Sequence, residues 1–100
     1  LKKVNERKIK ITRINSPSEI RKCNILFVSA SKSSLLKEIL TKVNTQSILV
    51  VTEEPGLATQ GSHINFVERS GRLAFELNQA AINKNNLKVA NELSRVAIII

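Results

Sequence analysis

Two short, uninterrupted apolar runs, Ile25 to Val28 and Ile48 to Val51, bracket a segment whose apolar residues recur at helical spacing. Leu35, Leu36, Ile39, Leu40 and Val43 fall on one side of a helix over about residues 34–44. Ser33 or Ser34 is placed to cap it. Apolar runs without polar alternation read as strands buried on both faces, the habit of central parallel strands. Strand, helix and strand in that order predict a right-handed β-α-β crossover with parallel strands.

The flanking sequence extends this unit into a sheet. Lys8 to Ile14 alternates polar and apolar residues and reads as a strand with one solvated face, ended by Asn15, Ser16 and Pro17. Beyond the break at Glu53, Glu54, Pro55 and Gly56, two strand-like runs, Ser62 to Arg69 and Arg72 to Leu77, are joined by Ser70-Gly71. That dipeptide suits a two-residue hairpin turn. Counting outward from it pairs Arg69 with Arg72, Val67 with Ala74, Phe66 with Phe75, Asn65 with Glu76, Ile64 with Leu77 and His63 with Asn78. One face then holds Ile64, Phe66, Leu73, Phe75 and Leu77, the set expected to avoid water. The other holds His63, Asn65, Glu76 and Asn78. Asn78 can cap a helix through about Asn85, a short helix is expected over 91–97, and Ile98 to Ile100 form a buried tail or an edge strand. The fold class is α/β: a mixed sheet with a parallel β-α-β core plus an antiparallel hairpin, helices packed on the sheet, in a single domain over residues 1–100.

The formal charge of +8 comes from 16 Lys and Arg against eight Glu, with no Asp. Residues 1–22 hold eight positive and two negative side chains, so the excess is concentrated there. A basic arm can bind phosphate through counterion release, which makes a nucleic-acid module the third reading. Lys8 and Lys10 alternating with Ile9 and Ile11 describe a solvated strand face equally well. The three aromatic residues are all Phe, with no Tyr or Trp stripe for base stacking, so nucleic acid is not the expected partner.

Reactive chemistry finds little support. Ser29-Ala30-Ser31-Lys32 satisfies an S-x-x-K spacing, yet its companion motifs are missing and the chain is too short for that enzyme fold. A Ser-His-Asp triad needs an Asp. One His and one Cys, 40 residues apart, match no zinc spacing, and no metal or cofactor is expected. Ligands of open α/β sheets bind beyond the carboxyl ends of parallel strands, which nominates Ser33, Ser34, Glu53 and Glu54 as ligand loops. His63 reads as a satisfied strand residue rather than a ligand. Asn65, Glu76 and Asn78 form a polar cluster, either structural, fixing the final helices against the hairpin, or partner-binding. Cys23, the only cysteine, reads as a small buried hydrophobe. The absence of any Met suggests that Leu1 is not the natural start.

Taken in order, Cys23-Asn-Ile-Leu-Phe-Val-Ser, Ile48-Leu-Val-Val-Thr, Gly56-Leu-Ala-Thr-Gln-Gly61, His63-Ile-Asn-Phe-Val-Glu and Arg72-Leu-Ala-Phe-Glu-Leu-Asn resemble the successive blocks of the YfiR-like family. Ala80-Ala81, Asn86-Leu-Lys-Val and Glu92-Leu-Ser-Arg-Val-Ala continue the resemblance, which covers about residues 8–100. The sequence departs from the family at Ser62, where a second Gly is frequent, and at Leu57, where Phe is frequent. The resemblance implies a non-catalytic periplasmic regulator that binds and restrains a membrane signalling protein such as a diguanylate cyclase. The alternative is an extracytoplasmic small-molecule sensor domain, and a homodimer is compatible with either. It also implies that the family's N-terminal helix and first strand are missing from residues 1–100, and that Cys23 can form a disulfide with a cysteine in that missing segment.

Overall fold

The computed structural model describes residues 3–4, 7–8, 12, 16–20, 23–43, 46–85, 87–88 and 91–100. A five-stranded sheet organises it, with strands β3 (Ile25–Val28), β4 (Leu49–Thr52), β5 (Ile64–Arg69), β6 (Arg72–Leu77) and β7 (Ile98–Ile99) side by side in that order. The pairs β3–β4, β4–β5 and β6–β7 are parallel, and β5–β6 is antiparallel. A separate antiparallel pair joins β1 (Lys3–Val4) to β2 (Arg7–Lys8). Most of the strand expected over residues 8–14 lies outside the described residues, and Lys8 pairs with Lys3.

A helical run fills the β3–β4 crossover as expected, but it starts earlier than the apolar spacing suggests. A 3-10 segment spans Ala30–Leu35 and passes directly into α1 (Leu36–Val43). Ser33 and Ser34 therefore sit inside the run and do not cap it. The polar 30–34 stretch is helical because it continues a turn whose apolar stripe begins at Leu35. Leu36, Ile39 and Val43 of α1 pack with Val28, Ile48, Val50 and Leu57 to form the main core.

Only one of the two apolar runs is central. β4 lies between β3 and β5, whereas β3 is an edge strand among the described residues. Burial on both faces, expected for β3, is found on one: Val28 is 4% exposed, while Ile25 and Phe27 are 62% and 54% exposed. Continuous apolarity reported strand identity correctly but could not report position in the sheet.

The hairpin has the expected register at every pair from Arg69–Arg72 to Ile64–Leu77, and the Asn78 amide donates to the His63 carbonyl at 3.0 Å. Ser70 and Gly71 have φ of +52° and +75°, the type I′ geometry whose twist suits two antiparallel strands. A Cβ added at Gly71 meets nothing within 4 Å, so only its backbone conformation opposes a side chain. Gly71→Ala is accordingly expected to lower stability by about 1 kcal/mol, read as a shift in the urea midpoint at constant slope.

Past the hairpin, α2 (Gln79–Lys84) begins at Asn78, whose Oδ1 accepts the Ala81 amide at 3.0 Å. After α3 (Asn91–Val96), β7 adds an edge strand beside β6, pairing Ile98 with Glu76 and Ile99 with Leu77. The choice between tail and strand is thus resolved for the strand.

Candidate functional site

The polar face of the hairpin is buried, while its apolar face is covered only in part, Leu77 being 0% exposed. His63, Asn65 and Glu76 are 2%, 0% and 9% exposed, whereas Leu73 on the apolar face is 78% exposed and Phe66 and Phe75 are half-buried. The polar side lies on the same sheet face as Val28, Val50 and Thr52, beneath the helices. A polar face can be buried only when its groups are paired, and here they are.

Asn65 supplies most of that pairing. Its Oδ1 accepts from Thr52 Oγ1 at 2.7 Å and from the Glu54 amide at 3.2 Å. Its Nδ2 donates to the Glu54 carbonyl at 2.8 Å and to Glu76 Oε1 at 3.1 Å. All four hydrogen-bonding positions of the amide are used, so one side chain pins the start of the β4–β5 connection to two strands. Thr52 Oγ1 also meets Ser62 Oγ at 2.7 Å. Arg69 donates to Glu76 Oε2 at 3.3 Å from a side chain 58% exposed, leaving the carboxylate closed off between Asn65 and a surface guanidinium.

Of the proposed polar cluster, Asn65 and Glu76 are brought together, while Asn78 has separate work. Asn78 caps α2 and donates through Nδ2 to the Ala58 carbonyl at 2.8 Å, joining α2 to the β4–β5 connection. Asn65 and Glu76 hold that same connection and not the final helices.

The strand-end loops come together differently. The Ala30 amide at the start of the 3-10 segment donates to Glu53 Oε1 at 3.1 Å, so a carboxylate of this chain already occupies a position open to an anion. Ser34 is exposed and Ser33 half-buried. Glu54 Oε2 is buried without a hydrogen-bond partner, the one such side-chain atom among the described residues. Ser29 Oγ meets Ser31 Oγ at 3.1 Å.

Cys23 is a free, half-buried thiol packed against the core, and burial pushes its pKa up, which lowers its thiolate fraction at neutral pH. It lines an open cleft of about 680 Å³ with Asn24, Gln46, Ser47 and Ile48. That cleft lies at the amino ends of β3 and β4, opposite to the loops expected to bind ligand.

What sequence reasoning underestimated is the other sheet face. Register aligns Ile25 with Leu49, Phe27 with Val51, Val51 with Ile64, Phe66 with Phe75, and Leu77 with Ile99 along it. The Phe66 and Phe75 rings pack with centroids 6.1 Å apart. Ile25, Phe27, Leu73 and Ile99 nevertheless remain more than half exposed, so all three Phe residues stand on an incompletely covered apolar surface.

A family model described as YfiR/HmsC-like matches residues 1–98. The chain belongs to the YfiR/HmsC-like family. The match reaches further towards the amino terminus than the blocks over residues 8–100. None of the curated proteins and none of the solved structures matches the chain. The YfiR-like family is regulatory and non-catalytic, and periplasmic in general. Among the described residues of this YfiR-like chain, no helix is long and apolar enough to cross a membrane.

Proposed function

We propose that this YfiR-like domain is a non-catalytic periplasmic regulator that docks on the extracytoplasmic part of a membrane diguanylate cyclase and restrains it. The observation that carries this reading is the apolar sheet face bearing exposed Ile25, Phe27, Leu73 and Ile99. Exposed apolar clusters of this kind mark protein contacts more often than chance, because leaving them in water is unfavourable. Family membership supplies the class of partner. Asn65 and Glu76 act behind this face, keeping the sheet rigid, while the exposed side chains make contact.

The test measures cyclic di-GMP synthesis by membranes carrying the cyclase, with and without added full-chain protein. Addition is expected to reduce synthesis severalfold, and Phe27→Glu or Leu73→Glu to weaken the inhibition at least tenfold, since a carboxylate buried at an apolar interface costs several kcal/mol. Circular dichroism of both variants should match the parent, because both positions are exposed. Unchanged synthesis, or full inhibition by both variants, would reject the reading.

The second reading, a small-molecule sensor, is favoured by the cleft beside Cys23, whose volume of about 680 Å³ is in the range of ligand sites. Its lining is mixed, with Asn24, Gln46 and Ser47 beside the apolar Cys23 and Ile48.

A further inference from the structure

His63 immediately precedes β5 and is buried, and separate elements close around its ring. β4 directs the Val50 amide at Nδ1 from 2.8 Å. α2 brings Ala81 up beside the ring, the two lining one small cleft. Beside the ring is a small cleft of about 100 Å³, lined by Leu40 from α1 and by Ala81, Lys84 and Asn85. A peptide N–H can only donate, so Nδ1 accepts and must carry no proton.

We propose that His63 is a proton-operated latch that fastens α2 to β4, and that acidification opens this corner of the domain. A proton on Nδ1 sets donor against donor across the 2.8 Å contact in a buried site. The imidazolium is therefore accommodated only when the ring leaves its slot, and the tie between β4 and α2 goes with it. The charged side chain among the described residues lining the cleft is Lys84, which is exposed. α1 presents Leu40 there and β4 a main-chain amide, so no carboxylate lining the cleft is at hand to pair with an imidazolium. α2 has six residues, few enough for it to open without the sheet.

Burial holds the His63 pKa below its ordinary value, although the Ala81 backbone contact acts the other way. The sign follows from this depression. The contribution of the latch is complete above the unfolded value, about 6.5, and is lost as pH falls from there through the folded pKa.

His63 is the only histidine, so its ring signals are unambiguous in an NMR titration of the full chain from pH 7.5 to 5. Amide exchange followed over the same range gives the opening equilibria after correction for intrinsic rates. The ring is expected to resist protonation near 6.5. Opening at Val50 and along α2 should increase by up to about tenfold per pH unit, the limit for one proton, while the β5–β6 amides keep their protection. His63→Gln retains an acceptor but cannot titrate, and should flatten the profile. Titration near 6.5 with constant protection at Val50 and α2 would overturn the proposal, as would loss spread evenly over every amide or an unchanged profile in His63→Gln. Should that variant fail to fold, the parent titration and exchange data decide alone.

Discussion

Asn65→Leu is expected to lower folding stability by about 4 kcal/mol, a large share of what a domain of this size possesses. Leu branches at the same carbon as Asn but is larger, so the loss joins polar groups left without partners to crowding at a site that is 0% exposed. The replacement strands the Glu54 amide and carbonyl, Thr52 Oγ1 and Glu76 Oε1, all held by one side chain at 2.7 to 3.2 Å. Each stranded buried group costs about 1–3 kcal/mol, and the Glu54 backbone, which is only half-buried, recovers part of its share from water. Urea denaturation should show the midpoint falling at constant slope. A loss below about 1 kcal/mol would show that the connection holds without its central amide.

Leu36→Ala should cost about 3 kcal/mol, whereas Leu73→Ala, the same chemical change, should cost less than about 0.5 kcal/mol. Leu36 is 2% exposed at the start of α1 and packs with Ile39, Val43, Ile48, Val50 and Leu57. Removing its isobutyl group forfeits transfer energy and leaves a void that neighbours on both a helix and a strand cannot fill together. Leu73 is 78% exposed and leaves no void. Parallel urea titrations of the two variants therefore separate burial from residue type, and equal losses would contradict the packing described for α1.

The elements that sequence made legible are those set by neighbours in the chain. The hairpin register followed from period two and from a turn dipeptide that tolerates positive φ, and α2 followed from an Asn placed to cap it. Position in the sheet was less accessible, because it depends on which strands pair. Ile25 and Phe27 are apolar like Val50 and Val51, and their place on the less covered face of an edge strand leaves them in water. The partners of the buried polar face were hidden for a related reason. Hydrophobicity treats Asn65, Glu76 and His63 as surface residues, whereas each has a partner supplied by another segment: Thr52 and Glu54 for Asn65, Asn65 and Arg69 for Glu76, and Val50 for His63. Such partners are invisible until the chain is folded.

Strands β3 to β7 stand in the sheet in the order in which they occur in the chain. Each arriving segment therefore finds its template in the one completed just before it, and assembly can proceed as a zipper from one end without a distant search. Loop closure stays short at every step, which keeps the entropic barrier low. A protein threaded amino end first through a translocation pore would gain from that arrangement, since no strand waits with an open edge for a neighbour still to come from far along the chain.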